Sequence, residues 1–222
     1  MIVDLNLKGK HAVVIGGGTE GVRKVKGLLG QDCKVTVVSS RVNKYLSDQA
    51  SLGKIQLVKA RLRDASVLDS YPDVFLVLAA TNDKDLNRKL VEKGRLMGAF
   101  VYAADDPPVS DFSYASIINI EGVVQVAIST SGKSPIMARK IRMRAERLLL
   151  NIIKKADIEN ARLQEFARNA AKPKIKTVEQ RKRFLYSLVN DSSIQKLIKE
   201  DKIEDAKRAT LELLQKWEKK SK

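Results

Sequence analysis

Cysteine and histidine are almost missing from this chain of 222 residues, which holds one of each, Cys33 and His11. One cysteine excludes an internal disulfide framework, and one His with one Cys excludes a Cys/His metal cluster. No metal ligands are therefore expected, and Cys–His nucleophilic catalysis has no support. Aromatic residues are scarce too, at 5%, and form no interleaved platform for stacking on bases. No apolar run approaches the roughly 20 residues of a membrane span. The first residues, Met1-Ile2-Val3-Asp4-Leu5, lack a charged leader before a long apolar segment, so no secretion signal is expected. The simplest expectation is a cytoplasmic protein with no membrane attachment.

What is present begins with glycine. An apolar run, Ala12 to Ile15, leads into Gly16-x-Gly18-x-x-Gly21, and a helix-forming stretch follows. That order fits the strand–turn–helix opening of a dinucleotide-binding fold. Gly16 lets the chain turn off the strand, Gly18 lets the backbone approach a pyrophosphate, and Gly21 allows close packing of the helix on the sheet. Gly17, Thr19 and Glu20 complete the same turn. The anion would sit on the free N–H groups of the helix N-terminus. A second apolar strand, Lys34 to Val38, begins about a dozen residues after Gly21, as a βαβ unit requires.

The first half continues this alternation. Ile55–Val58, Val74–Ala80 and Phe100–Ala104 read as strands, and Asp85–Met97 reads as a helix with apolar residues near helical spacing. Continuous apolar strands alternating with helices argue for a parallel sheet covered on both faces. Ligands then bind beyond the carboxyl ends of the strands. Three polar clusters fall there: Gly16 to Gly21, Thr81-Asn82-Asp83, and Asp105-Asp106-Pro107-Pro108. After Pro108 the character changes. Residues 116–120 and 123–128 read as two strands joined by a tight turn at Glu121-Gly122. Ile136 to Ala156 reads as one basic helix, and the remainder as helices broken near Lys172-Pro173 and Asn190–Ser193.

Charge separates the two halves. Residues 1–132 carry 17 basic and 14 acidic side chains, while residues 133–222 carry 25 and 12, within a total of +16. Such an excess attracts polyanions, whether nucleic acid, acidic membrane or a polycarboxylate. The plainer reading of most individual lysines is a solvated helix face.

The end of the second strand is Ser39-Ser40-Arg41, where an acidic residue would report a free ribose hydroxyl and hence NAD. A serine can bond a ribose hydroxyl and Arg41 can meet a 2′-phosphate, so these residues leave NAD and NADP open. Asp105 and Asp106 sit where a reacting substrate would lie, able to take a proton, orient an N–H group or ligate a metal. The alternative there is a solvated turn. Ser129-Thr130-Ser131-Gly132-Lys133-Ser134 lacks the spacing of a phosphate loop, because no glycine lies five residues before Gly132. It reads as a hydroxyl-rich turn before a helix beginning near Pro135. Ser134 can then serve as an N-cap, or the turn can hold a substrate carboxylate. His11, at the opposite end of the first strand, and Trp217 read as structural.

Together these pieces resemble the precorrin-2 dehydrogenases, including the corresponding half of siroheme synthase. The matching text is Val13-Val14-Ile15-Gly16-Gly17-Gly18-x-x-Gly21-x-Arg23-Lys24, then Ala79-Ala80-Thr81-Asn82-Asp83-x-x-Leu86-Asn87. It continues through Asp105-Asp106-Pro107, Asp111-Phe112 and Ile128-Ser129-Thr130-Ser131-Gly132-Lys133-Ser134-Pro135-x-x-Ala138-Arg139, with Arg181-Lys182-Arg183-Phe184 in the tail. The resemblance implies NAD-dependent oxidation of precorrin-2 to sirohydrochlorin, with some members also inserting Fe2+ to give siroheme. It implies a homodimer built through the middle region and a helical tail over the active site. By position, Thr19, Glu20, Ser40 and Arg41 would contact NAD. Asp105 matches the family's essential aspartate, and Ser134 its substrate-loop serine. Because precorrin-2 is a polycarboxylate, Arg139, Lys140, Arg142 and Arg144 become candidates for pairing with it.

Some positions depart from the family pattern. Gly21 stands where alanine is usual, an exchange expected to be harmless. Tyr102-Ala103-Ala104 replaces a common Asn-Val-Val, and Ser110 replaces a cysteine. The methyltransferase half of the fused synthases is absent from the sequence. The expected organisation is an α/β fold. A Rossmann-like NAD-binding domain spans 1–112, a small β-containing dimerisation and substrate-loop region 113–150, and a basic helical domain 151–222. The rival reading is a dinucleotide-binding regulatory module with a basic tail that grips nucleic acid; the tail lacks a recognisable nucleic-acid motif. A dehydrogenase acting on another acidic metabolite is the third.

Overall fold

A computed structural model describes residues 2–220, with side chains through residue 217. The chain divides into two compact units, Met1–Tyr114 and Ala115–Lys222.

The first unit is built on a five-stranded parallel sheet in the order β3-β2-β1-β4-β5. Its strands are β1 (His11–Ile15), β2 (Lys34–Ser39), β3 (Gln56–Lys59), β4 (Val74–Ala79) and β5 (Phe100–Ala103). The connecting helices are α1 (Thr19–Leu28), α2 (Lys44–Ser51) and α3 (Lys84–Leu96). Alternation along the strands decides which helix each face receives. Val13, Ile15, Val77, Ala79, Val101 and Ala103 face Leu86, Leu90 and Val91 of α3. Ala12, Val14, Val35, Val37, Leu76 and Leu78 meet Val25 and Leu28 of α1 and Leu46 of α2. Covered on both sides, the strands need apolar residues at nearly every position, which is why they read as unbroken runs.

The strand order reverses direction between β1 and β4, the switch point beyond whose carboxyl ends such sheets bind ligands. The free edge of β5 is closed by the segment that follows it. Ser110 Oγ accepts the Ala103 N–H at 2.9 Å and Asp111 Oδ2 accepts the Val101 N–H at 3.0 Å. Arg95 holds Asp111 from α3, donating to its Oδ1 at 2.8 Å. The serine in place of the family's cysteine thus supplies an acceptor to an edge strand that would otherwise expose its donors.

The second unit opens with an antiparallel hairpin, β6 (Ser116–Ile120) and β7 (Val124–Ile128). Its turn places Glu121 and Gly122 at φ 50° and 71°, the left-handed region such turns require. Helices α4 (Pro135–Ile152), α5 (Lys155–Ala171), α6 (Val178–Asn190), α7 (Ser192–Lys199) and α8 (Ile203–Lys220) follow. The single helix expected over 136–156 is in fact two. Ile153 and Lys154 are extended, and the Asp157 carboxylate accepts the Lys154 N–H at 2.8 Å to start α5. Ile153 uses the break to pack on the hairpin cluster around Ile118, Ile120 and Ile158. A further break, not expected from sequence, falls at Asp201 (φ 62°) between α7 and α8. Phe184, Leu188, Ile194, Ile198 and Leu214 centre the core of the last four helices, with Trp217 against Phe184. Among the described residues no helix is long and apolar enough to cross a membrane.

Candidate active site

The turn from β1 into α1 is held from three sides. Gly16, at φ +118°, donates its N–H to Val38 O at 2.9 Å, and a Cβ there would overlap the Ala80 carbonyl. Gly17 lies against the Arg41 carbonyl and 2.8 Å, measured from an added Cβ, from Ser39 Oγ. Gly21 faces the Gly16 carbonyl oxygen with no room for a methyl group. The glycine that stands in place of the family's alanine is thus matched by a helix start packed on the turn's own carbonyl.

Gly18 behaves differently. A Cβ on it would meet nothing within 4 Å, and as N-cap of α1 it supplies no side-chain acceptor. The first-turn N–H groups are left facing open space, with the helix dipole behind them. Gly18 and Thr19 are exposed, and Glu20 pairs with Arg23 at 2.9 Å. These residues fit the phosphates of a dinucleotide: a crowded turn fixes the backbone, and the side facing the crevice is clear.

At the end of β2 the Ser39 hydroxyl donates to Arg41 O at 2.7 Å and accepts the Arg41 N–H at 3.3 Å. That bond closes the turn and presents Ser40 and the Arg41 side chain to solvent. At the end of β4, Asp83 caps α3, accepting the Leu86 N–H at 3.0 Å, while Asn82 is exposed.

At the end of β5, Asp105 is exposed and Asp106 pairs with Arg88 at 3.2 Å. Both line a cleft of about 340 Å³ with Lys84, Asp85, Asn87, Arg88, Ala103 and Val109. Asn87, 1% exposed, ties this cleft to the Thr81 loop. Its Oδ1 accepts the Thr81 N–H (3.1 Å) and hydroxyl (2.7 Å), and its Nδ2 donates to Asp105 Oδ1 at 2.7 Å. Sequence reasoning placed Asn87 in a motif without giving it a role, and passed over Lys84 and Arg88. The available signal was a polar residue four positions after the Asp83 cap, on the apolar face of α3.

On the other side of the sheet, Lys24 lies 4% exposed with its Nζ 3.9 Å and 3.4 Å from the ring centres of Tyr102 and Tyr114. Burial, helped by the Arg23 charge, lowers it to about 7. Burial pushes the Tyr114 phenol up.

Ser131, Gly132, Lys133, Ser134 and Arg139 belong to the second unit. Thr130 Oγ accepts the Ser134 N–H at 3.0 Å, Ser131 and Gly132 take φ 51° and 79°, and Ser134 Oγ accepts the Met137 N–H at 3.2 Å. Ser134 is thus the N-cap of α4, and Ser131, Lys133 and Arg139 are exposed.

Residues 3–116 match the family model described as "Putative NAD(P)-binding". The chain belongs to this NAD(P)-binding family. Residues 122–147 match a second model, "Sirohaem biosynthesis protein central". The siroheme synthase of Nitrosococcus oceani is 32% identical over 213 residues, 94% of this chain and 43% of that protein. That of Neisseria meningitidis serogroup C is 34% identical over 179 residues, 81% of this chain and 35% of that protein. This NAD(P)-binding chain therefore spans less than half the length of these curated relatives. The solved structure of SirC, precorrin-2 dehydrogenase, superposes with a TM-score of 0.67 at 22% identity, covering 97% of this chain and 99% of that one. It shares the fold: a five-stranded parallel sheet with helices, a small hairpin sheet and C-terminal helices. The resemblance to the precorrin-2 dehydrogenase and siroheme synthase group, read from sequence motifs, is met by these matches.

Proposed function

We propose that the chain catalyses the NAD-dependent dehydrogenation of precorrin-2 to sirohydrochlorin, a step toward siroheme. One observation carries the reading: a glycine turn open to a dinucleotide and an exposed aspartate beside a cleft share the carboxyl edge of one parallel sheet. The siroheme synthases and the precorrin-2 dehydrogenase that the chain resembles supply the substrate. The turn of Gly16, Gly17, Gly18, Thr19, Glu20 and Gly21 would hold NAD, with Ser39, Ser40, Arg41, Thr81 and Asn82 at the flanking strand ends. Bound NAD supplies the hydride acceptor.

The chain's own residues do the rest. First-turn N–H groups of α1 bind the pyrophosphate anion. Asp105 accepts a hydrogen bond from the macrocycle or takes the proton that leaves as the hydride departs. Lys84 and Arg88 bring positive charge to the rim of the same cleft, where a polycarboxylate gains from it. Ser131, Gly132, Lys133, Ser134 and Arg139 are assigned to substrate carboxylates; the exposure of Lys133 and Arg139 supports this.

A homodimer belongs to the proposal. Helix α4 leaves Ile136, Ile141, Leu148 and Ile152 exposed at 41–79%, and β6 leaves Ile117 exposed at 47%. Apolar residues outside the core of one chain call for cover. Fe2+ enters as a second substrate, steered by Asp105 in the cleft or by the substrate's own carboxylates.

An anaerobic assay tests the central reading. Purified protein receives enzymatically generated precorrin-2 with NAD or NADP in separate runs. Sirohydrochlorin absorbance rising together with NADH supports the dehydrogenase. Folded protein that converts nothing with either nucleotide rejects it. Comparing siroheme formation from sirohydrochlorin and Fe2+ with and without protein tests iron insertion.

A further inference from the structure

A buried side-chain amide is stable only when its donors and acceptors are matched. Among the described residues Asn87 meets that condition with Thr81 and Asp105. Its Oδ1 takes the Thr81 N–H and hydroxyl, and its Nδ2 serves the Thr81 carbonyl at 3.1 Å and Asp105 Oδ1 at 2.7 Å. The orientation is forced. A backbone N–H only donates and a carbonyl only accepts, so inverting the amide would set donor against donor and acceptor against acceptor. The group aimed at Asp105 is therefore NH2.

Holding the Thr81 loop needs three of these four bonds. The fourth runs from a residue 1% exposed to an exposed carboxylate on the neighbouring strand end. Asn87 shares α3 with Leu86, Leu90 and Val91 of the sheet core and is buried like them. A donor to one carboxylate oxygen sets the direction in which the other is presented.

We infer that Asn87 is the positioning residue of this cleft, fixing the Asp105 carboxylate relative to the Thr81 loop through a single buried amide. The inference rests on the proposed role of Asp105 for its catalytic consequence, and on the contact alone for its geometry. Asn87→Asp removes the NH2 that serves both the Asp105 carboxylate and the Thr81 carbonyl. It keeps an acceptor for the Thr81 N–H and sets an oxygen against Asp105. Two carboxylates so close share a proton as pH falls, and the shared proton restores a donor between them.

Turnover by Asn87→Asp is expected to fall about 10²-fold at pH 8, the scale of a small misplacement of a reacting group. The deficit against wild type should narrow at least about fivefold by pH 6. A deficit equal at both pH values, or none at all, overturns the inference. A second readout needs no substrate. In 15N-labelled protein, Asp105→Ala should shift an Asn87 side-chain NH2 proton resonance upfield and speed its exchange. If both resonances stay in place, the contact is not made and the inference falls. Wild-type protein inactive on precorrin-2 would reject the proposed function instead, leaving the amide spectrum to judge the positioning contact.

Discussion

The carbonyl oxygen of Gly16 occupies the space that a Cβ on Gly21 would need. Gly21→Ala must push the start of α1 away from the turn, an overpacking expected to cost about 1–3 kcal/mol. The same displacement should weaken NAD binding about tenfold, equivalent to ~1.4 kcal/mol. Gly27, in the last turn of the same helix, is the control. A Cβ there meets nothing, and Gly27→Ala should stabilise the protein by about 0.5–1 kcal/mol. Urea unfolding with nucleotide titration reads both variants. Equal behaviour of the two would show that the turn tolerates a methyl group at Gly21.

That result also marks where sequence reading stops. The β1–α1 motif and the alternation of apolar runs with helices were legible because a parallel sheet covered on both faces needs apolar residues throughout. Strand ends could then be located, and with them Thr81 and Asp105. Which glycine faced which carbonyl was not legible, because the Gly16–Gly21 contact depends on backbone direction and not on residue type. Asn87 stood in the family motif with no role that its sequence position could supply. Its two partners are 6 and 18 residues away in sequence, and only the pairing of β4 with β5 unites them. The break at Ile153 was hidden for a related reason. No Gly or Pro marks it, and the pull of Ile153 into the hairpin core is a tertiary effect.

Lys24 should make stability depend on pH. In the folded chain burial holds its ammonium to about 7, against 10.5 for an ordinary lysine. Between those values the unfolded chain binds the proton and the folded chain does not, so stability rises with pH across that window. Below about 7 both states are charged and the penalty of burying the ammonium is fully present. The urea midpoint of wild type is expected to rise from pH 7 to pH 9.5. In Lys24→Met, which keeps the length of the stem without the charge, the rise should be smaller. A rise equally steep in the variant would remove Lys24 as its source.

Ile141, Leu148 and Ile152 recur at i, i+7 and i+11 on α4, one stripe of the helix, and all three are exposed in the single chain. Sedimentation should find the wild-type protein as a dimer. The double variant Leu148→Glu/Ile152→Glu should sediment as a monomer with its helical circular dichroism retained. A dimeric double variant would place the interface elsewhere, and a monomeric wild type would remove the dimer from the account.

The central claim is that Asp105 serves a reaction carried out on a dinucleotide held at the glycine turn on the same edge of the sheet. The most direct test is the anaerobic rate of NADH formation from precorrin-2 by wild type and Asp105→Ala, with the NAD Kd of each measured alongside. The account predicts one NADH per sirohydrochlorin in wild type. In the variant it predicts a rate lower by about 10²–10⁴-fold, the range for loss of a positioned proton-transfer group, with the Kd within about twofold. An unchanged rate in Asp105→Ala, or a wild-type protein that binds NAD and leaves precorrin-2 untouched, would contradict it.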